Sequence, residues 1–122
     1  MIPRFVTKTL HAYLDYPVAL GLMAMPVLFG LGTGNPLAFW LSVVTGVAAF
    51  VLTLLTDHHL GVLRVLPYSV HLAVDGLVGL VFVLAPLALG FTGIELWYYL
   101  VLGLTVLGVV GLHRPDAEMA EA

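Results

Sequence analysis

The sequence predicts an all-α membrane protein: four transmembrane helices forming two tandem helical hairpins with pseudo-twofold symmetry, both termini cytoplasmic. Three observations predict it. The chain has 122 residues, 61% hydrophobic and only 9% charged, whereas a soluble domain carries about 25% charged residues. So few charges cannot build a water-facing surface. The apolar residues fall into four runs, each close to the roughly 20 residues a spanning helix needs. The first and third runs open on the same pattern, His11-Ala12-Tyr13-Leu14-Asp15 and His71-Leu72-Ala73-Val74-Asp75. Runs of this length without two-residue alternation point to helices and away from a membrane barrel.

Taken in order, residues 1–8 read as a short interfacial arm, and the first span runs from about Thr9 to Leu31. Arg4 and Lys8 before an apolar run give this end a signal-peptide outline. The length of the run and Asp15 near its start favour a retained span. Gly32-Thr33-Gly34-Asn35-Pro36 is a turn by composition, and the second span runs from about Leu37 to Thr56. Asp57 to Arg64 is the longest polar interruption, and Pro67 suits the first turn of the next helix. The third span covers Tyr68 to Phe91, Thr92-Gly93-Ile94-Glu95 is the second turn, and the fourth span covers Leu96 to Leu112. All of 1–122 is a single transmembrane domain: repeat 1 over about 9–57, a linker over 58–67, repeat 2 over about 68–114 and an acidic tail over 115–122. Trp40, Trp97, Tyr98 and Tyr99 open spans two and four, where an interfacial aromatic belt is expected.

Arg4, Lys8, Arg64 and Arg114 all fall at one end of such a bundle, which the positive-inside rule makes the cytoplasmic end. Four basic residues form no nucleic-acid surface. The absence of cysteine removes disulfides, thiolate metal sites and a cysteine nucleophile.

The repeat extends well beyond its opening. At an offset of 60 it pairs His11 with His71, Asp15 with Asp75, Pro26 with Pro86 and Gly30 with Gly90. A shorter second turn changes the offset to 57, pairing Trp40 with Trp97, Gly46 with Gly103 and Asp57 with Arg114. Two spans per repeat insert both copies in the same direction, so the pseudo-axis lies along the membrane normal. An advance of about 100° per residue places His11, Asp15, Pro26 and Gly30 on one stripe, and their copies share the equivalent stripe. Such stripes should face the interior, bringing spans one and three together with Ala19 and Gly79 permitting close approach. Pro26 and Pro86 deprive the carbonyls of Leu22 and Phe82 of a helical partner, so a kink is expected near mid-membrane.

The doubled His-x-x-x-Asp, the pieces Pro26-Val27-Leu28-Phe29-Gly30 and Pro86-Leu87-Ala88-Leu89-Gly90-Phe91, and the linker from Thr56 to Pro67 resemble the SPW-repeat family of small bacterial membrane proteins. The resemblance covers residues from about 10 to 113. Where that family reads Ser-Pro-Trp, this chain reads Met25-Pro26-Val27 and Ala85-Pro86-Leu87, keeping only the proline. The resemblance implies a two-hairpin protein of the bacterial cytoplasmic membrane and no particular activity.

His11, Asp15, His71 and Asp75 are the residues from which chemistry is expected, with pairing either along each helix or crosswise between repeats. The bland reading is a satisfied polar clasp. The sharper ones are a proton or substrate site, a zinc, manganese or iron site, or a haem or other tetrapyrrole ligated by His11 or His71. No cofactor is required by the sequence. Asp57 and Arg114 read either as a salt bridge between repeats or as two independent interfacial charges; His58-His59 is expected to be a loop pair poorly disposed towards one ligand, and His113 to complement the end of span four. Gly46 and Gly103, extended by Gly108 and Gly111, read as a helix-packing surface. The leading functional expectation is a structural or accessory subunit in the lipid bilayer, packing against itself or a larger, energy-transducing complex. The alternative is an enzyme, transporter, or metal- or haem-binding protein built on the His/Asp cluster.

Overall fold

The computed structural model describes residues 4–58 and 60–113. Four helices follow one another: α1 (Lys8–Leu28), α2 (Pro36–Leu55), α3 (Tyr68–Leu89) and α4 (Gly93–Gly111). Among the described residues there is no strand, only two isolated backbone bridges. By length and composition α2, α3 and α4 can each cross a membrane. α1 is as long, but Lys8, His11, Asp15 and Pro17 occupy its first half. The outer faces are apolar, with Val44, Leu84, Val101 and Leu104 all exposed. Trp40 and Trp97 are exposed as a belt requires. Tyr98 and Tyr99, expected beside them, are buried instead.

Each helix starts and stops for a local reason. The Thr7 hydroxyl accepts from the Leu10 N–H at 3.1 Å, and Asn35 caps α2 just ahead of Pro36. α1 and α3 end in the same motif. Gly30 and Gly90 take the left-handed conformation, with φ of 64° and 71°. The next N–H, of Leu31 or Phe91, returns to the carbonyl of Pro26 or Pro86 at 2.9 and 3.0 Å, and both side chains turn into the core. The spans read as reaching Leu31 and Phe91 therefore stop two or three residues sooner. The two prolines lie in the last turn, so they shape the helix exits and not a mid-membrane kink. The Leu22 carbonyl freed by Pro26 is still satisfied: Ser42 Oγ donates to it at 2.7 Å. Ser42 has then spent its one hydrogen, so the Tyr98 hydroxyl donates to Ser42 at 2.6 Å.

Backbones come close within each hairpin and scarcely between hairpins. A Cβ on Gly46 would lie 2.9 Å from the Ala19 carbonyl oxygen. One on Gly103 would lie 2.9 Å from that of Gly79. Ala19 and Gly79 thus serve α1 against α2 and α3 against α4, not α1 against α3 as expected. Gly108 and Gly111 meet nothing within 4 Å.

The hairpins are joined at both ends. At one end the linker folds back under α2: the N–H groups of Val62 and Leu63 reach the Leu54 carbonyl, and those of Val65 and Leu66 reach Leu55. At the other end Glu95, in the first turn of α4, is buried against the α1–α2 turn. Its carboxylate accepts from the N–H groups of Gly32 at 2.8 Å, Gly34 at 3.3 Å and Asn35 at 3.1 Å. Glu95→Ala removes the acceptor from three backbone donors. Charge-assisted bonds of this kind contribute about 1.5–3 kcal/mol, so a clear drop in the thermal midpoint of the detergent-solubilised protein is expected, smaller for Glu95→Gln. An unchanged midpoint for Glu95→Ala would mean that water replaces the carboxylate freely.

Candidate functional site

The site lies at the end of the bundle that holds the N-terminal arm and the linker. His11 and Asp15 project from the first turns of α1, and His71 and Asp75 from the equivalent turns of α3. The i,i+4 spacing puts each pair on one face, and the pseudo-axis turns the two faces towards each other. Nε2 of His11 lies 3.0 Å from Oδ1 of Asp15 and 2.7 Å from Oδ2 of Asp75. Nε2 of His71 lies 3.2 Å from Oδ2 of Asp75 and 3.4 Å from Oδ2 of Asp15. Pairing therefore runs both along and across the helices. The two imidazoles meet edge to face, with centroids 5.5 Å apart. One nitrogen from each histidine and one oxygen from each aspartate all lie within 4.8 Å of one another, so among the described residues these four can together hold a cation.

Two further histidines join the cluster. His58 is buried, with Nε2 3.1 Å from Oδ2 of Asp15. His113 is buried too, its Nε2 2.8 Å from the Tyr68 hydroxyl. The sequence places His58 in a loop pair and His113 at a helix end, with no sign that either reaches the cluster. His58 reaches Asp15 because the linker folds back, and the Tyr16 hydroxyl pins that fold by donating to the Leu60 carbonyl at 2.8 Å. His113 is brought in by a bridge between Val6 and residue 113. His59 and Arg114 lie outside the described residues, and with Arg114 so does the expected salt bridge. Its partner Asp57 is exposed.

Thr56 orders the histidine on α3. Its hydroxyl donates to the Leu52 carbonyl at 2.6 Å and lies 2.7 Å from Nδ1 of His71. A hydroxyl has one hydrogen, so Nδ1 of His71 is the donor in that contact. Nε2, the nitrogen facing the carboxylates, is thereby the free one in the neutral ring. Nδ1 of His11 and of His58 are buried without a hydrogen-bond partner.

Behind the cluster the hairpins leave a chamber of about 430 Å³. Its head is His11, Asp15, His71 and Asp75. Its walls are mostly apolar and come from all four helices in repeat-related pairs, among them Val18 with Val78, Ala49 with Val106 and Leu52 with Val109. The hydroxyls of Thr53 and Thr105 are used inside their own helices, bonding the carbonyls of Ala49 and Val101. The ionisable groups of the chamber are thus concentrated at one end, and Thr45 adds a hydroxyl to its wall. No family model, no curated protein and no solved structure matches this chain.

Spacing alone singles out His11, Asp15, His71 and Asp75. The signal for His58 and Thr56 was their place in the one polar interruption, directly after a span. The signal for Tyr68 was its position one turn ahead of His71.

Proposed function

We propose that the chain is a small multi-pass protein of a bacterial cytoplasmic membrane that binds a lipid-soluble molecule between its hairpins, polar end against the His/Asp cluster. The observation that carries this is the amphipathic chamber on the pseudo-axis, whose volume falls within the 300–1,000 Å³ typical of ligand pockets. Arg4, Lys8 and Arg64 orient the clustered end towards the cytoplasm. The SPW-repeat resemblance belongs to the same proposal, resting on the doubled His-x-x-x-Asp and the paired prolines.

The test is organic-solvent extraction of the purified protein followed by mass spectrometry, set beside the variant Ala48→Trp. Ala48 lines the chamber and is exposed, so the indole fills space without displacing core. The wild type is expected to yield a lipophilic species enriched over the bulk membrane lipids and absent from the variant. Identical bulk phospholipid in both samples would refute the reading. Gly108 and Gly111, with open space around them on α4, favour a second reading: an accessory subunit whose α4 packs on a partner helix. Native mass spectrometry of mild detergent extracts separates the two readings.

A further inference from the structure

We propose that the cluster is a binding site for one divalent first-row transition-metal ion, zinc foremost, held by Nε2 of His11 and His71 and one carboxylate oxygen each from Asp15 and Asp75. The site is shared with the chamber, but the inference stands on donor geometry and is independent of what fills the chamber.

Geometry comes first. Zinc bonds to imidazole nitrogen and carboxylate oxygen are about 2.0–2.2 Å, so the edges of a tetrahedral site are roughly 3.3–3.5 Å. Oδ2 of Asp75 lies 2.7 and 3.2 Å from the two imidazole nitrogens, while Asp15 presents Oδ1 to His11 at 3.0 Å and Oδ2 to His71 at 3.4 Å; with one oxygen per aspartate the four donors lie within 4.8 Å of one another. An ion bound by all four residues draws these donors together and takes one oxygen of Asp15 to face both imidazoles, which a rotation of that carboxylate supplies. One ion on the pseudo-axis takes one histidine and one aspartate from each repeat, so the duplication supplies a complete tetrahedral set from a motif that holds only half of one.

The outer contacts are those of a ligand set. A metal-binding imidazole needs a proton on its other nitrogen, usually donated to an oxygen. His71 already has this, through Thr56. Asp15 is held in turn by His58 Nε2 at 3.1 Å, the bond that orients a ligating carboxylate. His11 lacks such a brace at Nδ1, which makes it the more adaptable ligand of the four. The charge also closes: two carboxylates and a divalent cation give a neutral site with both imidazoles neutral, which suits a group at the head of an apolar chamber. Haem does not fit. Oxygens of both aspartates stand within 3.4 Å of the two imidazole nitrogens, where the macrocycle would have to lie.

The experiment strips the detergent-purified protein with chelator and titrates it separately with Zn²⁺ and Co²⁺. Metal is counted by mass spectrometry, and the cobalt form is read by its visible absorption. The expected result is one ion per chain with the intense bands of four-coordinate cobalt. Asp75→Asn, which keeps the side-chain shape, should weaken binding at least tenfold. Thr56→Val should weaken it about 10–100-fold through loss of the brace on His71 while keeping the four-coordinate spectrum. Gel-filtration profile and helical circular dichroism report whether each variant is folded. The proposal is overturned if the folded wild type takes up no stoichiometric metal. It is equally overturned if Asp75→Asn binds like the wild type, since the Asp75 carboxylate is then not a ligand. Extraction of lipid from the same samples keeps the chamber reading separate: its failure leaves the metal count untouched.

Discussion

Asp15→Ala is expected to destabilise the protein by about 3–5 kcal/mol, the cost of removing one partner from a buried ion-pair network. Asp15 is the hub of the cluster. Its oxygens face His11 at 3.0 Å, His58 at 3.1 Å and His71 at 3.4 Å, and they tie together α1, the linker and α3. Alanine leaves three imidazoles turned towards a vacated pocket. Asp75 faces two imidazoles, and its side chain is 21% exposed against 8% for Asp15, so water can compensate part of its loss. The order Asp15→Ala worse than Asp75→Ala is therefore the discriminating result, read from equilibrium unfolding in mixed micelles. Asp15→Asn should fall between wild type and Asp15→Ala, because the amide still accepts one hydrogen bond. Equal midpoints for the two alanine variants would show that neither carboxylate is the hub.

Gly103→Leu is expected to open the second hairpin. Even a Cβ at this position lies 2.9 Å from the Gly79 carbonyl oxygen, 2.9 Å from the Val83 nitrogen and 2.8 Å from Val83 Cγ2. Two of those three neighbours are backbone, so rotamer changes cannot relieve the clash and α3 and α4 must separate. Overpacking of this kind costs about 1–3 kcal/mol and more where backbone must move. Gly108→Leu is the control on the same helix, with nothing within 4 Å of its Cβ. A lowered thermal midpoint for Gly103→Leu beside an unchanged one for Gly108→Leu is the expected pattern. Should Gly108→Leu fall as far, the effect would be one of composition or of a partner helix at that face.

The two hairpins were legible because hydrophobic run length and an internal repeat are properties of the chain itself. His11, Asp15, His71 and Asp75 were legible for the same reason: the spacing of four sets their common face, and the doubling brings the faces together. Glu95 was not. Its partners are backbone N–H groups of Gly32, Gly34 and Asn35, which carry no side-chain signature. His58 was hidden because its position follows from the way linker N–H groups cap the last carbonyls of α2. The place of Tyr98 and Tyr99 at a helix start points to a belt. Ser42 and the Ala38 carbonyl, which accept their hydroxyl bonds, belong to the other hairpin, and no local pattern points there.

Thr56 pairs with Leu66 where the first hairpin hands over to the second, and Val6 pairs with His113 at the repeat-equivalent positions. The end of each hairpin is thus stitched to the beginning of the other, and only one of the two stitches is spanned by a covalent linker. The architecture is a closed ring that the peptide happens to enter between residues 6 and 113. A circularly permuted chain, opened within the linker and joined across the other stitch, would meet the same contacts in the same places. Which hairpin is translated first is not written into the fold.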